Sequence, residues 1–229
     1  MFDLSQPPLV DGHPTTLHRL TYAEFGQSPF LEPLYELVNA AFATTHIPPY
    51  WPEGDLKRLH TASELVDEMD PTAITYILTQ SSVDGDLRVV GSICEEVFDA
   101  QPRYDAAAGM SPFKDILYQD VAPREASVAQ RMIRSLVVDP ALMGKGIGGW
   151  LLEYAIAQIQ AQLSREGRWT GARLVLSAIY EINGRYYDKR GWKTVAKRVM
   201  PPGYLGSPAG FSIVRMERDV ALGGVDVAK

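Results

Sequence analysis

Leu136-Val137-Val138-Asp139-Pro140-Ala141-Leu142-Met143-Gly144-Lys145-Gly146-Ile147-Gly148-Gly149-Trp150-Leu151-Leu152 is the stretch that decides the fold. An apolar, β-branched run stops at Pro140, a glycine-dense turn follows, and apolar residues then recur at helical spacing. A strand that runs through glycines into a helix is a device for holding a phosphate group. The first N–H groups of a helix lack intrahelical partners, and the helix dipole places partial positive charge beside them. Glycine lets that backbone approach an anion with no Cβ in the way.

Composition bounds the rest. The chain has 229 residues, 46% hydrophobic and 22% charged, ordinary values for one globular domain or one domain with a large insertion. A net charge of -6 argues against non-specific nucleic-acid binding, which needs a basic face, and is compatible with cationic amine substrates. Cys94 is the single cysteine, so no internal disulfide forms and a reducing compartment is expected. Met1–Val10 has neither a basic n-region nor an apolar h-region, and no stretch approaches the ~18 apolar residues of a membrane span. The expectation is a cytoplasmic protein with no membrane and no nucleic-acid partner, compatible with a homodimer.

Outward from the motif, residues 1–15 with Pro7, Pro8 and Pro14 read as an extended lead-in. Thr16–Thr21 alternates as a strand. Phe30, Leu34, Leu37, Val38, Ala41 and Phe42 mark a helix over Pro29–Phe42, and Ser63–Met69 reads as a second. Ile74–Thr79 and Arg88–Phe98 are strands about the turn Asp84-Gly85-Asp86, with Gly91 signalling a bulge or a close backbone approach. Residues 99–127 break the rhythm with prolines and aromatics, as a lid or substrate loop inserted before the motif strand does. After that strand (Arg131–Val138) the helix stripe runs from Gly148 to Leu163 and ends near Gly167. Ala172–Tyr180 is a strand, parallel to the motif strand across a right-handed crossover. A short helix over Asn183–Arg190 and an antiparallel pair, Lys193–Met200 and Phe211–Arg218, complete a domain over residues 16–220. Residues 221–229 read as a flexible tail.

The motif resembles the core of the GCN5-related N-acetyltransferase (GNAT) superfamily: an apolar strand, Val-x-Pro, then Gln/Arg-x-x-Gly-x-Gly/Ala opening a helix. Val138-Asp139-Pro140 and Met143-Gly144-Lys145-Gly146-Ile147-Gly148 fill those places, with Met143 where the family usually carries Gln or Arg. Tyr187-Asp188-Lys189-Arg190-Gly191-Trp192 is similar to the family's Tyr-x-x-x-Gly-Phe, with Trp for Phe. The resemblance runs from about Leu17 to Val220 and leaves out residues 99–127. It implies an α/β fold, a mixed, mostly antiparallel twisted sheet with helices on both faces. A rival pattern exists, because Gly144–Gly149 also satisfies Gly-x-Gly-x-x-Gly, the dinucleotide fingerprint. That fingerprint asks for glycine directly after the strand, an acid about 20 residues on and further βα repeats. Here four residues separate Asp139 from Gly144, Glu181 comes late, and few residues remain for a second half. A CoA pyrophosphate therefore ranks first, an ordinary glycine turn second and NAD(P) third.

The resemblance also implies the chemistry: transfer of an acyl group, acetyl foremost, from CoA to a primary amine by direct attack. It assigns Met143, Gly144, Lys145, Gly146, Ile147, Gly148 and Gly149 to the CoA phosphates, and the backbone of Leu136, Val137 and Val138 to pantetheine and the thioester carbonyl. Asn183 stands near the place of a family asparagine. Tyr187 is the general-acid candidate, since a phenol with pKa near ~10 is protonated at neutral pH and can donate to a leaving thiolate. The motif strand lacks a carboxylate over Arg131–Ser135, so the base candidate is Glu96 on the preceding strand. The plain reading of Glu95 and Glu96 is a solvated strand end. No histidine pair has metal-ligand spacing, and no metal is expected. Cys94 reads as a small core residue. Pro48–Trp51, residues 99–127 and Pro201–Gly210 would wall a small-molecule amine. A peptide amine, and a CoA-binding protein without catalysis, stand as alternatives.

Overall fold

In chain order the strands are β1 (Thr15–Thr21), β2 (Ile74–Ser81), β3 (Leu87–Val97), β4 (Val128–Val138), β5 (Gly171–Ile179), β6 (Lys193–Met200) and β7 (Phe211–Ala221). They come from a computed structural model, which describes residues 2–44, 49–50, 57–81, 87–98, 116–118 and 125–222. Hydrogen bonding orders them β1-β2-β3-β4-β5-β7-β6. β1–β2, β2–β3, β5–β7 and β6–β7 are antiparallel, and β4–β5 is parallel. β3 and β4 run in opposite directions, because Asp139 N–H bonds Val90 O while Phe98 N–H bonds Gln130 O. Helices α1 (Tyr22–Phe25), α2 (Leu31–Ala43), α3 (Ser63–Asp67), α4 (Ile147–Glu166) and α5 (Arg185–Asp188) flank this mixed, mostly antiparallel sheet. The fold class is the one the sequence implies.

The chain divides into two units. The first takes in Met1–Thr45, Gly54–Glu96 and Ile133–Gln158. Here α2 buries Leu34, Leu37, Val38 and Ala41, the i, i+3, i+4, i+7 stripe of an amphipathic helix. They pack in one cluster with Phe25 of α1, Leu65 of α3, Ile77 of β2, Cys94 of β3 and Val137 of β4. Each leucine so buried stabilises the fold by about 1.5–3 kcal/mol. Tyr76, one residue before Ile77, points the other way and meets Tyr154 of α4 edge-on at 5.5 Å, so helices cover both faces. α1 is an addition to the sequence reading. Thr21 caps it, and Glu24 Oε2 accepts from Thr21 N–H at 2.8 Å, a capping box that Thr-x-x-Glu encodes.

Gly91 does both things its place in a strand suggests. The β2–β3 register slips between Leu78 and Thr79, opposite it. A Cβ there would stand 3.0 Å from Leu151 Cδ1 and 3.1 Å from Val137 O. Only glycine lets α4 sit this close to the sheet.

The second unit takes in His46–Glu53, Val97–Met132 and Ile159–Lys229. β4 starts at Val128, three residues earlier than its apolar run suggests, because its parallel ladder with β5 begins at Val128↔Gly171 and runs to Met132↔Val175. Ile116 packs with Met200, Phe211 and Ile213, and Leu117 with Phe98, Met132 and Val175. Those two residues of the 99–127 segment are core, which qualifies its reading as a lid. Residues 99–115 and 119–124 lie outside the described residues, as does the Asp84-Gly85-Asp86 turn. No helix among the described residues is long and apolar enough to cross a membrane.

Candidate phosphate turn and acyl-transfer residues

In the first unit β4 ends at Val138, and Asp139 follows it. Its N–H donates to Val90 O at 3.0 Å, and its Oδ1 accepts from Ala141 N–H at 2.9 Å, capping one 3-10 turn over Pro140–Leu142. Pro140 sits where a helix start needs no donor. Asp139 Oδ2 ion-pairs Arg88 of β3. Sequence reasoning missed both residues. The Asp-Pro pair was a legible cap signal for Asp139, whereas Arg88, 51 residues away, had none.

The turn then passes through Gly144 and Gly146 at φ +79° and +87°, conformations that residues with a Cβ avoid. A Cβ on Gly144 would meet no heavy atom within 4 Å, so conformation rather than crowding selects glycine there. Trp150 N–H closes the first helical bond, onto Gly146 O at 2.9 Å. The N–H groups of Ile147, Gly148 and Gly149 precede it and have no acceptor inside the helix. Ile147 is buried and anchors the helix start, while Met143–Gly146 are exposed. Lys145 is the one cation between Met143 and Gly149, and its Nζ ion-pairs Asp11. Left-handed glycines, N–H groups with no acceptor inside the helix at its dipole's positive end, and one lysine suit a diphosphate in shape and charge. Met143, 47% exposed, supplies no charge.

On β4 itself, Ser135 takes φ +53°, a left-handed residue inside a strand. Such a residue breaks the pleat and re-aims the backbone after it, here Leu136, Val137 and Val138. Leu136 and Val138 are half-buried and Val137 is buried. Serine carries no signature for this conformation, and the sequence reading did not foresee it.

Glu95 and Glu96 are not a solvated strand end: they are 2% and 3% exposed. Glu96 Oε2 accepts from Asp70 N–H at 3.0 Å, and Oε1 lies 3.3 Å from Arg134 Nη1. Arg134 also lies 3.4 Å from Glu68 Oε2 and donates to Glu68 O. Burial raises the Glu96 carboxyl above its ordinary value, against the opposing pull of Arg134. Cys94 is buried as expected, and burial pushes its thiol up to about 12.

In the second unit Tyr187 lies on α5, its ring edge-on to Tyr186 at 5.1 Å and to Trp192 at 5.8 Å. Burial raises its phenol well above the usual value. Before α5 the chain makes a π-helical turn, Tyr180–Gly184, where the sequence reading ends a strand at Tyr180 and starts a short helix at Asn183. Glu181 Oε2 ties that turn to β7 by accepting from Ser212 N–H at 2.9 Å, and Asn183 is exposed. Of the expected acceptor walls, Tyr50 packs beside Met200 and Phe211, and Ser207 Oγ donates to Tyr50 O. Residues 45–48 and 51–56, with Pro48 and Trp51, lie outside the described residues. No three His, Cys, Asp or Glu side chains among the described residues are placed to hold a metal.

The chain superposes on the ribosomal-protein-S18-alanine N-acetyltransferase from Escherichia coli with a TM-score of 0.51 at 13% identity, covering 94% of this chain and 99% of that one. The chain has the GNAT fold. An acetyltransferase of the GNAT family from Streptococcus pneumoniae matches at TM-score 0.47 and 12% identity, over 90% of this chain and 99% of its own. Arabidopsis thaliana NAA60 in complex with acetyl-CoA matches at TM-score 0.49 and 14% identity, over 90% and 98%. No protein-family model matches the chain, and no curated protein matches it significantly. At 13% identity the first likeness shows the fold alone, and the chemistry must be argued from residues.

Proposed function

We propose that this chain is an acyl-CoA-dependent N-acyltransferase that moves an acetyl group to a primary amine of a small molecule. The observation that carries the reading is the turn from Asp139 to Trp150, with two left-handed glycines and helix N–H groups that have no acceptor inside the helix, at the end of a GNAT-fold β4. Gly144–Gly149 and Lys145 would hold the CoA diphosphate, with Met143 alongside. Acetyl-CoA would supply a thioester, whose C–S bond breaks as the amine nitrogen forms the C–N bond, the amine's proton passing to solvent or base and the thiolate taking one from an acid.

The chain's own residues have the remaining work. The Leu136–Val138 backbone, re-aimed after Ser135, is the proposed binder of the pantetheine arm and polariser of the carbonyl. Glu96 is the proposed proton acceptor: burial moves its carboxyl towards a general base's range, while Arg134 and Asp70 N–H favour its charged form. Tyr187 is the proposed acid, since its phenol carries a proton at neutral pH. Asn183 is proposed as a further contact to CoA. The proposed cytoplasmic location rests on composition, and the proposed small-molecule acceptor on the aromatic loops. One observation favours a second reading, CoA binding without catalysis: both Glu96 oxygens are already engaged by protein donors.

The test is a calorimetric titration with acetyl-CoA, beside NADH and beside Gly146→Asp, followed by an amine panel with Glu96→Gln. Micromolar acetyl-CoA binding, lost in a Gly146→Asp protein that keeps its circular dichroism, supports the turn. Absence of acetyl-CoA binding overturns the function. Binding with no transfer to any amine favours the second reading.

A further inference from the structure

The segment Phe2–His13 lies against the start of α4, and nothing in the proposed reaction uses it. Three contacts hold it there. Trp150 Nε1 donates to Asp3 O at 2.9 Å, Phe2 Cε1 lies 3.6 Å from where a Cβ on Gly146 would stand, and Asp11 ion-pairs Lys145. A tight turn presents Asp11. Val10 and His13 exchange backbone hydrogen bonds of 2.9 and 3.0 Å, and the residues between them, Asp11 and Gly12, have φ +51° and +82°. That is a two-residue hairpin with both central residues left-handed.

Its base is anchored. Val10 is buried, its carbonyl accepts from Gln80 Nε2 at 2.8 Å, and Thr15 Oγ1 donates to Pro8 O at 2.7 Å. The carboxylate at the tip is therefore delivered by a fixed scaffold rather than by a loose chain. It meets the single cation of the turn, and a carboxylate seated there occupies the charge that a phosphate oxygen would otherwise draw on.

We propose that Asp11 is an internal competitor of the phosphate anion: it holds Lys145 in the free protein, and CoA binding must displace it. The proposal rests on the phosphate reading of the turn. The ion pair is exposed, 44% on the lysine and 59% on the aspartate, so it biases binding by about two- to fivefold rather than blocking it.

The experiment is a titration of CoA into wild type, Asp11→Asn, Lys145→Ala and the double variant at low ionic strength. Asparagine tolerates the left-handed conformation and keeps the hairpin while removing the charge. The expected result is a two- to fivefold tighter Kd for Asp11→Asn, and no such gain when Lys145 is already alanine. Equal or weaker binding by Asp11→Asn, in a wild type that binds CoA, overturns the competitor and leaves the phosphate turn standing. A gain that persists without Lys145 also overturns it. No CoA binding by any of the four proteins overturns the competitor and the phosphate reading together.

Discussion

Arg134 Nη1 stands 3.3 Å from Glu96 Oε1, an ion pair between neighbouring strands of the first unit whose carboxylate is buried and whose guanidinium is half-buried. Breaking such a pair by removing one partner leaves the other charge uncompensated, at a cost of about 3–5 kcal/mol. Arg134→Met should therefore destabilise the protein, and the deficit should depend on pH. Glu96 has a folded pKa above its unfolded one, and Arg134 is the largest influence holding it down. Removing Arg134 raises it further. A carboxyl raised in this way contributes stability that is full below its unfolded pKa and lost as pH rises through the folded value. Urea midpoints should show a small deficit near pH 4.5 and a larger one at pH 8, part of which Glu96→Gln restores. A deficit independent of pH would mean that Glu96 is not the charge left behind.

Gly91 gives a prediction about packing alone. A valine there must push against Leu151 Cδ1 and the immovable Val137 carbonyl, at 3.0 and 3.1 Å from its Cβ. Overpacking of this kind costs about 1–3 kcal/mol. Thermal unfolding of Gly91→Val should show a lower Tm than that of Gly26→Ala, whose added Cβ would stand 3.8 Å from Val66. Equal melting points would show that α4 can move off the sheet without penalty.

The β4–turn–α4 unit was legible because its chemistry is a backbone property, and backbone properties are written in glycine, proline and β-branched residues. The α2 stripe and the burial of Cys94 were legible for a similar reason, since periodicity and polarity are local. Glu96 was not. A carboxylate at a strand end looks solvated until its partners are known, and those partners, Asp70 and Arg134, lie 26 and 38 residues away. Asp11-Gly12 lies in a segment read as an extended lead-in but makes a hairpin turn, and its target, Lys145, is 134 residues distant. Ser135 had no signal at all, because tertiary structure rather than residue type holds it at φ +53°.

Asp139 separates a cap from a charge. Its Oδ1 caps the 3-10 turn through Ala141 N–H, and its Oδ2 pairs with Arg88, 54% exposed. Loss of a side-chain cap costs about 1 kcal/mol, and an exposed ion pair is worth less. Asp139→Ala should lower stability by about 1 kcal/mol, Asp139→Asn by a few tenths and Arg88→Ala by no more than that. Chemical denaturation of the three variants checks the order. An Asn variant as damaged as the Ala variant would assign the stabilisation to the charge.

Tyr187 makes the sharpest claim about chemistry. An acid must hold its proton until the thiolate departs, and burial raises this phenol well above its ordinary value. It stays protonated across the neutral range, so no alkaline limb from Tyr187 should appear in kcat below about pH 10. Tyr187→Phe keeps the ring packing against Tyr186 and Trp192 and removes only the hydroxyl. Positioned proton transfer typically contributes 10²–10⁴-fold, so kcat should fall by about 10²-fold or more while the KM for acetyl-CoA changes by less than about twofold. The decisive comparison varies the leaving group. An acyl thioester whose thiol has a lower pKa needs less help from an acid, so the defect of Tyr187→Phe should shrink with such a donor. A defect of constant size across donors would mean that the hydroxyl positions the substrate, and an unchanged kcat would remove Tyr187 from the reaction.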